Sequence, residues 1–403
     1  MVDHCANAKV DSGDNAYMKH IPYGCQWIDE KDIKAVCRVL RGELITQGPA
    51  VAQFEKQLCK LTGAKYCVAL ANGTAALHLA VAALDIQKGC EGITTTNTFV
   101  ASANAIAYSG LKPVLADIDS STFNISIESI KNKLSSLTRV IIPVHFAGQP
   151  VSIKSIRSVV GNKIKIIEDA AHAIGSIDAE GYPVGACRWS DMTVFSFHPV
   201  KTITSGEGGA ITTNNKELYE RLRILRVGGI TRNSKDFVSP VDDPWYYEMQ
   251  FLGFNYRLTD IHAALGLSQL SKLKKFVKRR REIVSKYNKA FANLSYFQTP
   301  KENPGVLSAF HLYVSQIDFE ALGKTRKEVV MELHRQGIGT QVHYIPVHWH
   351  PYYAQTYGYR KGDLPVMEKY YQAALSLPLY PQLTDAEVNH VIKHVRRIVS
   401  LDK

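Results

Sequence analysis

The sequence predicts an α/β protein: a large domain on a seven-stranded, mainly parallel sheet, followed by a smaller C-terminal α+β domain. Three observations carry that prediction. From residue 65 to 214, short apolar runs alternate with helical stretches, the pattern of parallel strands joined by crossover helices. A helical pattern from about Thr259 to Leu294 is long enough to connect two domains. Beyond it, "HLYVSQIDF", "RKEVVMELHRQGIG" and "AEVNHVIKHVRRIV" supply one strand-like and two helix-like patterns. The expected division is a flexible tail over residues 1–20, a large domain over 21–270 and a small domain over 271–403.

In order, the expected strands are "KYCVAL", "GITTTN", "KPVLADI", "RVIIPVHF", "KIKIIED", "DMTVFSF" and "GAITTN", each bounded by turn residues or charges. Between most of them lie helical stretches such as "TAALHLAVAAL", "ASANAIAYSG" and "SIESIKNKLSSL". The chain of 403 residues is 45% hydrophobic, ordinary for a globular protein. Its longest apolar run, "VALANGTAALHLAVAAL", is broken by Asn72, Gly73 and His78, so no membrane span is expected. The first twenty residues lack a signal-peptide layout, and a cytoplasmic protein is expected. Seven cysteines at irregular spacing, with no C-x-x-C pair, read as reduced structural thiols and not as a metal site. The net charge of +11 suits anionic partners. The densest basic run, "KLKKFVKRRRE", continues a helical pattern and reads as its solvated face; no nucleic-acid-binding signature accompanies it.

Ligands of such sheets bind beyond the carboxyl ends of the strands, and four features fall there. In "VALANGTAALHLA" a strand turns at Asn72-Gly73-Thr74 directly into a helix. Glycine admits close approach, the helix start offers free N–H groups, and the threonine adds a hydroxyl, which makes a phosphate cup. The same triplet also serves as ordinary helix capping. In "IIEDAAHAIGS", Asp169 ends a buried strand, where its carboxylate either caps the next helix or holds a pyridine nitrogen protonated. His172 is either a packed core histidine or a contact to the same ring's hydroxyl. Phe99 follows a strand end in "TNTFVASANAI" and can lie flat on an aromatic ring. Ser196 stands five residues before Lys201 in "FSFHPVKTITSGEGG" and offers a second phosphate donor. A phosphate cup, a pyridinium partner, a stacking aromatic and a loop lysine together specify pyridoxal 5'-phosphate, with Lys201 as its Schiff-base partner.

With those residues assembled, the chain resembles the DegT/StrS family of sugar-nucleotide aminotransferases from about Ile21 to Ile398. The motifs are "LITQGPAVAQFE", "ANGTAALHLA", "TFVASANAI", "VHFAGQP", "EDAAHAIGS", "FSFHPVKTITSGEGGA" and "GFNYRLTDIHAALGLSQL". The resemblance implies the aspartate-aminotransferase-like fold (fold type I), pyridoxal phosphate as cofactor, and a homodimer with shared active sites. It implies Lys201 as the Schiff-base lysine, Asp169 at the ring nitrogen, and Gly73, Thr74 and Ser196 at the phosphate. His172 and Phe99 would contact the ring, and Asn255 would reach the neighbouring subunit's cofactor phosphate. "IPYG", "PWYYEMQFLGFNYRLTD", "HYIPVHWHPYY" and "ALSLPLYPQLT" most resemble the aminotransferases of pseudaminic acid biosynthesis. That subtype implies a UDP-linked 4-keto-6-deoxy-N-acetylhexosamine as acceptor and L-glutamate as donor. The product would be UDP-4-amino-4,6-dideoxy-N-acetyl-β-L-altrosamine, with His343, Tyr344 and His348 as sugar-nucleotide contacts.

One motif departs from the subtype. Its members commonly read "LRSHGITR", where this chain has "LRVGGITR" with Val227 and Gly228, which bears on the substrate more than on the reaction. Three other readings compete. A sister group that dehydrates keto sugars carries histidine in place of the lysine, and this chain has Lys201. Transamination of another sugar, a legionaminic acid or bacillosamine precursor, stays open. A pyridoxal-phosphate-binding regulator would need a DNA-binding module, and none is legible.

Overall fold

The computed structural model describes residues 20–239, 241 and 243–399. The tail expected over residues 1–20 lies, His20 apart, outside the described residues, as does Cys5. Seven strands form the main sheet: β1 (Tyr66–Leu70), β2 (Glu91–Thr95), β3 (Lys112–Ala116), β4 (Thr138–Ile142), β5 (Lys165–Asp169), β6 (Met192–Ser196) and β7 (Gly209–Thr213). Their order is β1-β7-β6-β5-β4-β2-β3. Strand β7 runs antiparallel to both neighbours and every other pair is parallel. Each run expected from the sequence is therefore a strand of this sheet. The fourth stops at Ile142, short of its expected end, because the chain beyond it bends into a single tight turn at Phe146–Gly148.

Apolar side chains cover both faces, as a sheet between helical layers requires. Val68, Leu70, Val194 and Ile211 pack on one side with α3 (Gly73–Ala83), and Ala69, Phe195 and Ala210 on the other with Phe54 and Leu58. The α3 helix is buried nearly all round, which its run of alanines permits at close range to the sheet. A second sheet of three antiparallel strands, Phe297–Gln298, Tyr313–Ile317 and Ala374–Leu377, has its own core, including Tyr287, Phe291, Tyr313, Val391 and Val395. Ile21 is buried in that core, and its amide bonds the Gly337 carbonyl at 2.7 Å. The segment around Ile21 therefore packs against the C-terminal part.

The single helix expected over Thr259 to Leu294 is two, Asp260–Leu270 and Leu273–Phe291. The break lies at Ser271-Lys272, where the Lys272 amine turns inward to Asp29 (3.1 Å) and to the buried Asp32. The basic run is correspondingly not one solvated face. Leu273, Phe276, Val277 and Arg280 are buried, and Arg280 donates to the carbonyls of His311 (3.0 Å) and Leu379 (2.8 Å). Among the described residues no helix is long and apolar enough to cross a membrane.

One buried carboxylate ties distant segments together. Asp260 accepts from the amides of Gly48 (2.7 Å), Ala50 (2.7 Å) and Val51 (3.4 Å), capping the helix Pro49–Thr62, whose own N-cap Gly48 has no side chain to do it. Charge-assisted bonds at a helix start are among the stronger ones, so Asp260→Ala should destabilise the protein by about 2–4 kcal/mol. Urea unfolding read as a midpoint shift checks this; an unchanged midpoint contradicts it.

Candidate active site

The carboxyl ends of β1, β5 and β6 open into a cavity of about 940 Å³. Its floor is built by three turns. After β1, Asn72 caps α3 by accepting from Ala75 N–H at 2.8 Å, and its carbonyl takes the Ala76 amide. The amides of Gly73 and Thr74 stand at the helix start, where no carbonyl of the helix can reach them. Ser196 ends β6 directly against this turn. A β-carbon on Gly73 would lie 2.9 Å from Ser196 Cβ, and one on Gly209 would lie 2.4 Å from the Asn72 carbonyl oxygen. Only glycine leaves the cradle open, and two amides and two hydroxyls face one small volume suited to a phosphate.

Asp169 ends β5 and is 4% exposed. Its Oδ1 accepts from the Ala171 amide at 3.0 Å and its Oδ2 from the Ser102 hydroxyl at 2.6 Å. Pleating turns the preceding Glu168 to the opposite side, where it accepts from Thr193 (2.9 Å) and His145 (2.8 Å) away from the cavity. Lys201 follows β6, with its amide on the His198 carbonyl at 2.9 Å, and its amine lines the same cavity. Burial lowers the pKa of that amine from 10.5 to about 8, against the pull of Asp169, which raises it. Loss of hydration therefore outweighs attraction to the carboxylate.

Three buried histidines surround the amine. His172 and His311 are held well below the ordinary range by burial first, and His343 is lowered to about 3; the Lys201 charge adds to each. All three are neutral imidazoles. His172 Nδ1 accepts from the Ala147 amide at 3.3 Å, so the ring proton sits on Nε2 and is donated to the Tyr344 hydroxyl at 3.0 Å. The Tyr344 proton is thereby left for a ligand. The His311 ring lies 4.5 Å from that of His172, and its Nδ1 is a buried atom without a partner.

The structure brings Gly73, Thr74, Phe99, Asp169, His172, Ser196, Lys201, His343 and Tyr344 to one cavity. Phe99 is 60% exposed at its mouth, 6.4 Å from the Tyr344 ring. His343 is anchored by Ser376 at 2.8 Å. Two expected residues are not brought there. His348 is fully buried away from the cavity, with Nδ1 against Thr96 (2.8 Å) and Nε2 against Glu368 (2.9 Å), so it is a satisfied core histidine. Asn255 is exposed, outside the cavity of its own chain, in a segment bridged to Val227. The departure at Val227-Gly228 falls on this bridge. Gly228 adopts φ +84°, a conformation unfavourable to any residue with a side chain. Residues that the sequence did not single out are Ser102, Thr98, His311 and Tyr23. Their partners are distant or look like ordinary helix-start residues.

Matches to known proteins agree with this geometry. The family model of the DegT/DnrJ/EryC1/StrS aminotransferases matches residues 26–396. The chain belongs to that family. The spore coat polysaccharide biosynthesis protein SpsC of Bacillus subtilis is 39% identical over 381 residues, 94% of this chain and 97% of its own. The structure of Helicobacter pylori PseC, an aminotransferase involved in the biosynthesis of pseudoaminic acid, matches with a TM-score of 0.87 at 31% identity, covering 94% of this chain and 99% of that one. The structure of Streptococcus pneumoniae Spr1654, solved in its PLP form, matches with a TM-score of 0.86 at 30% identity over 94% of this chain and 98% of that one. The protein is a pyridoxal-phosphate-dependent sugar aminotransferase, and the cradle, the buried carboxylate and the amine fit that cofactor.

The Lys201 amine attacks only when neutral, and its pKa near 8 sets when that occurs. The rate at which cofactor-free protein captures pyridoxal phosphate should rise with pH through about 8 and level off above it. Asp169→Asn removes the charge that holds the proton on, so the midpoint should move to lower pH. Absorbance after mixing reads both, and a midpoint at the ordinary lysine value contradicts the assignment.

Proposed function

We propose that the protein transfers the amino group of L-glutamate to a UDP-linked 4-keto-6-deoxy-N-acetylhexosamine, giving UDP-4-amino-4,6-dideoxy-N-acetyl-β-L-altrosamine in the cytoplasm. The observation that carries the reading is one neutral-prone amine, Lys201, facing a buried carboxylate and a phosphate cradle in one cavity. The likeness to PseC supports this sugar. A second reading keeps the reaction and changes the sugar, and the higher identity to SpsC, together with Val227-Gly228, favours giving it room.

In this reading Gly73, Thr74 and Ser196 hold the cofactor phosphate, Phe99 covers the ring, and Asp169 keeps the ring nitrogen protonated. The bound cofactor supplies an electron sink for the amino-acid α-carbon. Lys201, once released, is the base that moves the proton off that carbon, and a lysine with lowered pKa suits the task. His172 fixes the Tyr344 hydroxyl, and His343 and Tyr344 face the substrate side. Tyr108 and His350 also line the cavity, and its volume of about 940 Å³ leaves room for a sugar nucleotide beside the cofactor. The positive net charge draws in glutamate and the diphosphate alike.

Asn255, exposed and outside its own cavity, would complete the phosphate cradle of a second copy, making a homodimer with shared sites. Mixing inactive Lys201→Ala with inactive Asn255→Asp tests both parts of the proposal. Heterodimers carry one site with neither lesion, so roughly a quarter of wild-type activity should return after subunit exchange. The product, examined by NMR with a panel of UDP-4-keto sugars, should be the 4-amino-altrosamine. No recovery after confirmed exchange contradicts the shared site, and preference for another sugar contradicts the substrate.

A further inference from the structure

Asp169 does not stand alone on the floor of the cavity. The Ser102 hydroxyl lies 2.6 Å from its Oδ2 and 2.8 Å from the hydroxyl of Thr98. An ionised carboxylate can only accept, so Ser102 donates to Asp169, and its oxygen then accepts the proton of Thr98. The direction of the chain is fixed: Thr98 to Ser102 to Asp169. Both residues are buried, at 3% and 0% exposure. Both sit at the start of the helix Ala101–Tyr108, where hydroxyls usually cap amides. That helix has Val100 at its N-cap and no side-chain cap, and the two hydroxyls run to the carboxylate instead.

We propose that Thr98 and Ser102 are positioning residues that act through Asp169 to keep the proton on the ring nitrogen of the bound cofactor. The proposal rests on Asp169 being the ring-nitrogen partner. One proton is shared between two bases, the carboxylate and the ring nitrogen. A donor to the carboxylate stabilises its charged form and so leaves the proton on nitrogen. With Ser102 removed, only the Ala171 amide remains on the Asp169 side chain among the hydrogen bonds of the described residues, and it serves the other oxygen. The carboxylate then becomes the better base, and the proton moves toward it. Thr98, donating to Ser102, strengthens the same bond and holds its rotamer.

The experiment loads pyridoxal phosphate labelled with nitrogen-15 in the ring onto the wild type, Ser102→Ala, Ser102→Thr, Thr98→Val and Asp169→Asn. The nitrogen-15 shift is read beside kcat and KM. The wild type should give the pyridinium signal and Asp169→Asn the neutral pyridine signal. Ser102→Ala should move the signal part-way toward neutral and lower kcat about tenfold, the scale of one bond to a charged group, with the KM for glutamate nearly unchanged. Ser102→Thr should restore both, and Thr98→Val should shift them less in the same direction. Should Ser102→Ala fail to fold, the near-isosteric Thr98→Val carries the test. A pyridinium signal kept in Ser102→Ala and Thr98→Val but lost in Asp169→Asn overturns the positioning role alone. A pyridinium signal kept in Asp169→Asn overturns the reading of Asp169, and the role of its partners with it.

Discussion

Asp169 and Lys201 line one cavity, and the balance between their charges organises what surrounds them. Attraction to the carboxylate raises the pKa of the amine, yet the net value falls from 10.5 to about 8, so burial wins. Burying an ionised carboxylate costs several kcal/mol unless donors replace the lost water. The Ala171 amide and the Ser102 hydroxyl do so for Asp169. No arrangement of that kind is available on a lone strand or helix. It needs β5 to present the carboxylate, the loop after β6 to return the lysine, and the helix after β2 to supply the hydroxyl.

The sheet order explains why these three loops meet. Strand β7 lies between β1 and β6 and runs against both, so the loop from β6 to β7 turns back over the carboxyl end of β1. Lys201 lies on that loop, and the phosphate cradle lies at the end of β1. The three-stranded part contributes from the opposite side: His311, His343 and Tyr344 come from segments that flank Tyr313–Ile317 or precede Ala374–Leu377. The histidines stay neutral because the amine and their burial both oppose a proton. In the proposed reaction, uncharged walls would leave Asp169 as the charged partner of the cofactor ring.

The large-sheet strands were legible because buried parallel strands read as continuous apolar runs, and Asn72-Gly73-Thr74, Asp169 and Lys201 follow those runs directly. Histidine and hydroxyl residues were less legible. His348 sits in a motif beside His343 and Tyr344, yet it turns to Thr96 and Glu368, because the tight turn Val347–Trp349 points it inward. Ser102 and His311 meet partners distant in sequence, and no local pattern records such pairs. The break at Ser271-Lys272 was hidden because both flanking segments keep helical periodicity, and only the tertiary pull of Asp29 and Asp32 on Lys272 marks it.

An amine that carries the cofactor and passes a proton, the role proposed for Lys201, must complete half of the reaction without any sugar. Mixing the cofactor-loaded protein with excess L-glutamate alone and counting 2-oxoglutarate measures this directly. One 2-oxoglutarate should form per Lys201 site, the yellow colour should bleach, and formation should then stop until a nucleotide-linked keto sugar is added. Colour that persists with no 2-oxoglutarate formed, or 2-oxoglutarate that keeps forming with no acceptor present, would contradict aminotransfer at this site.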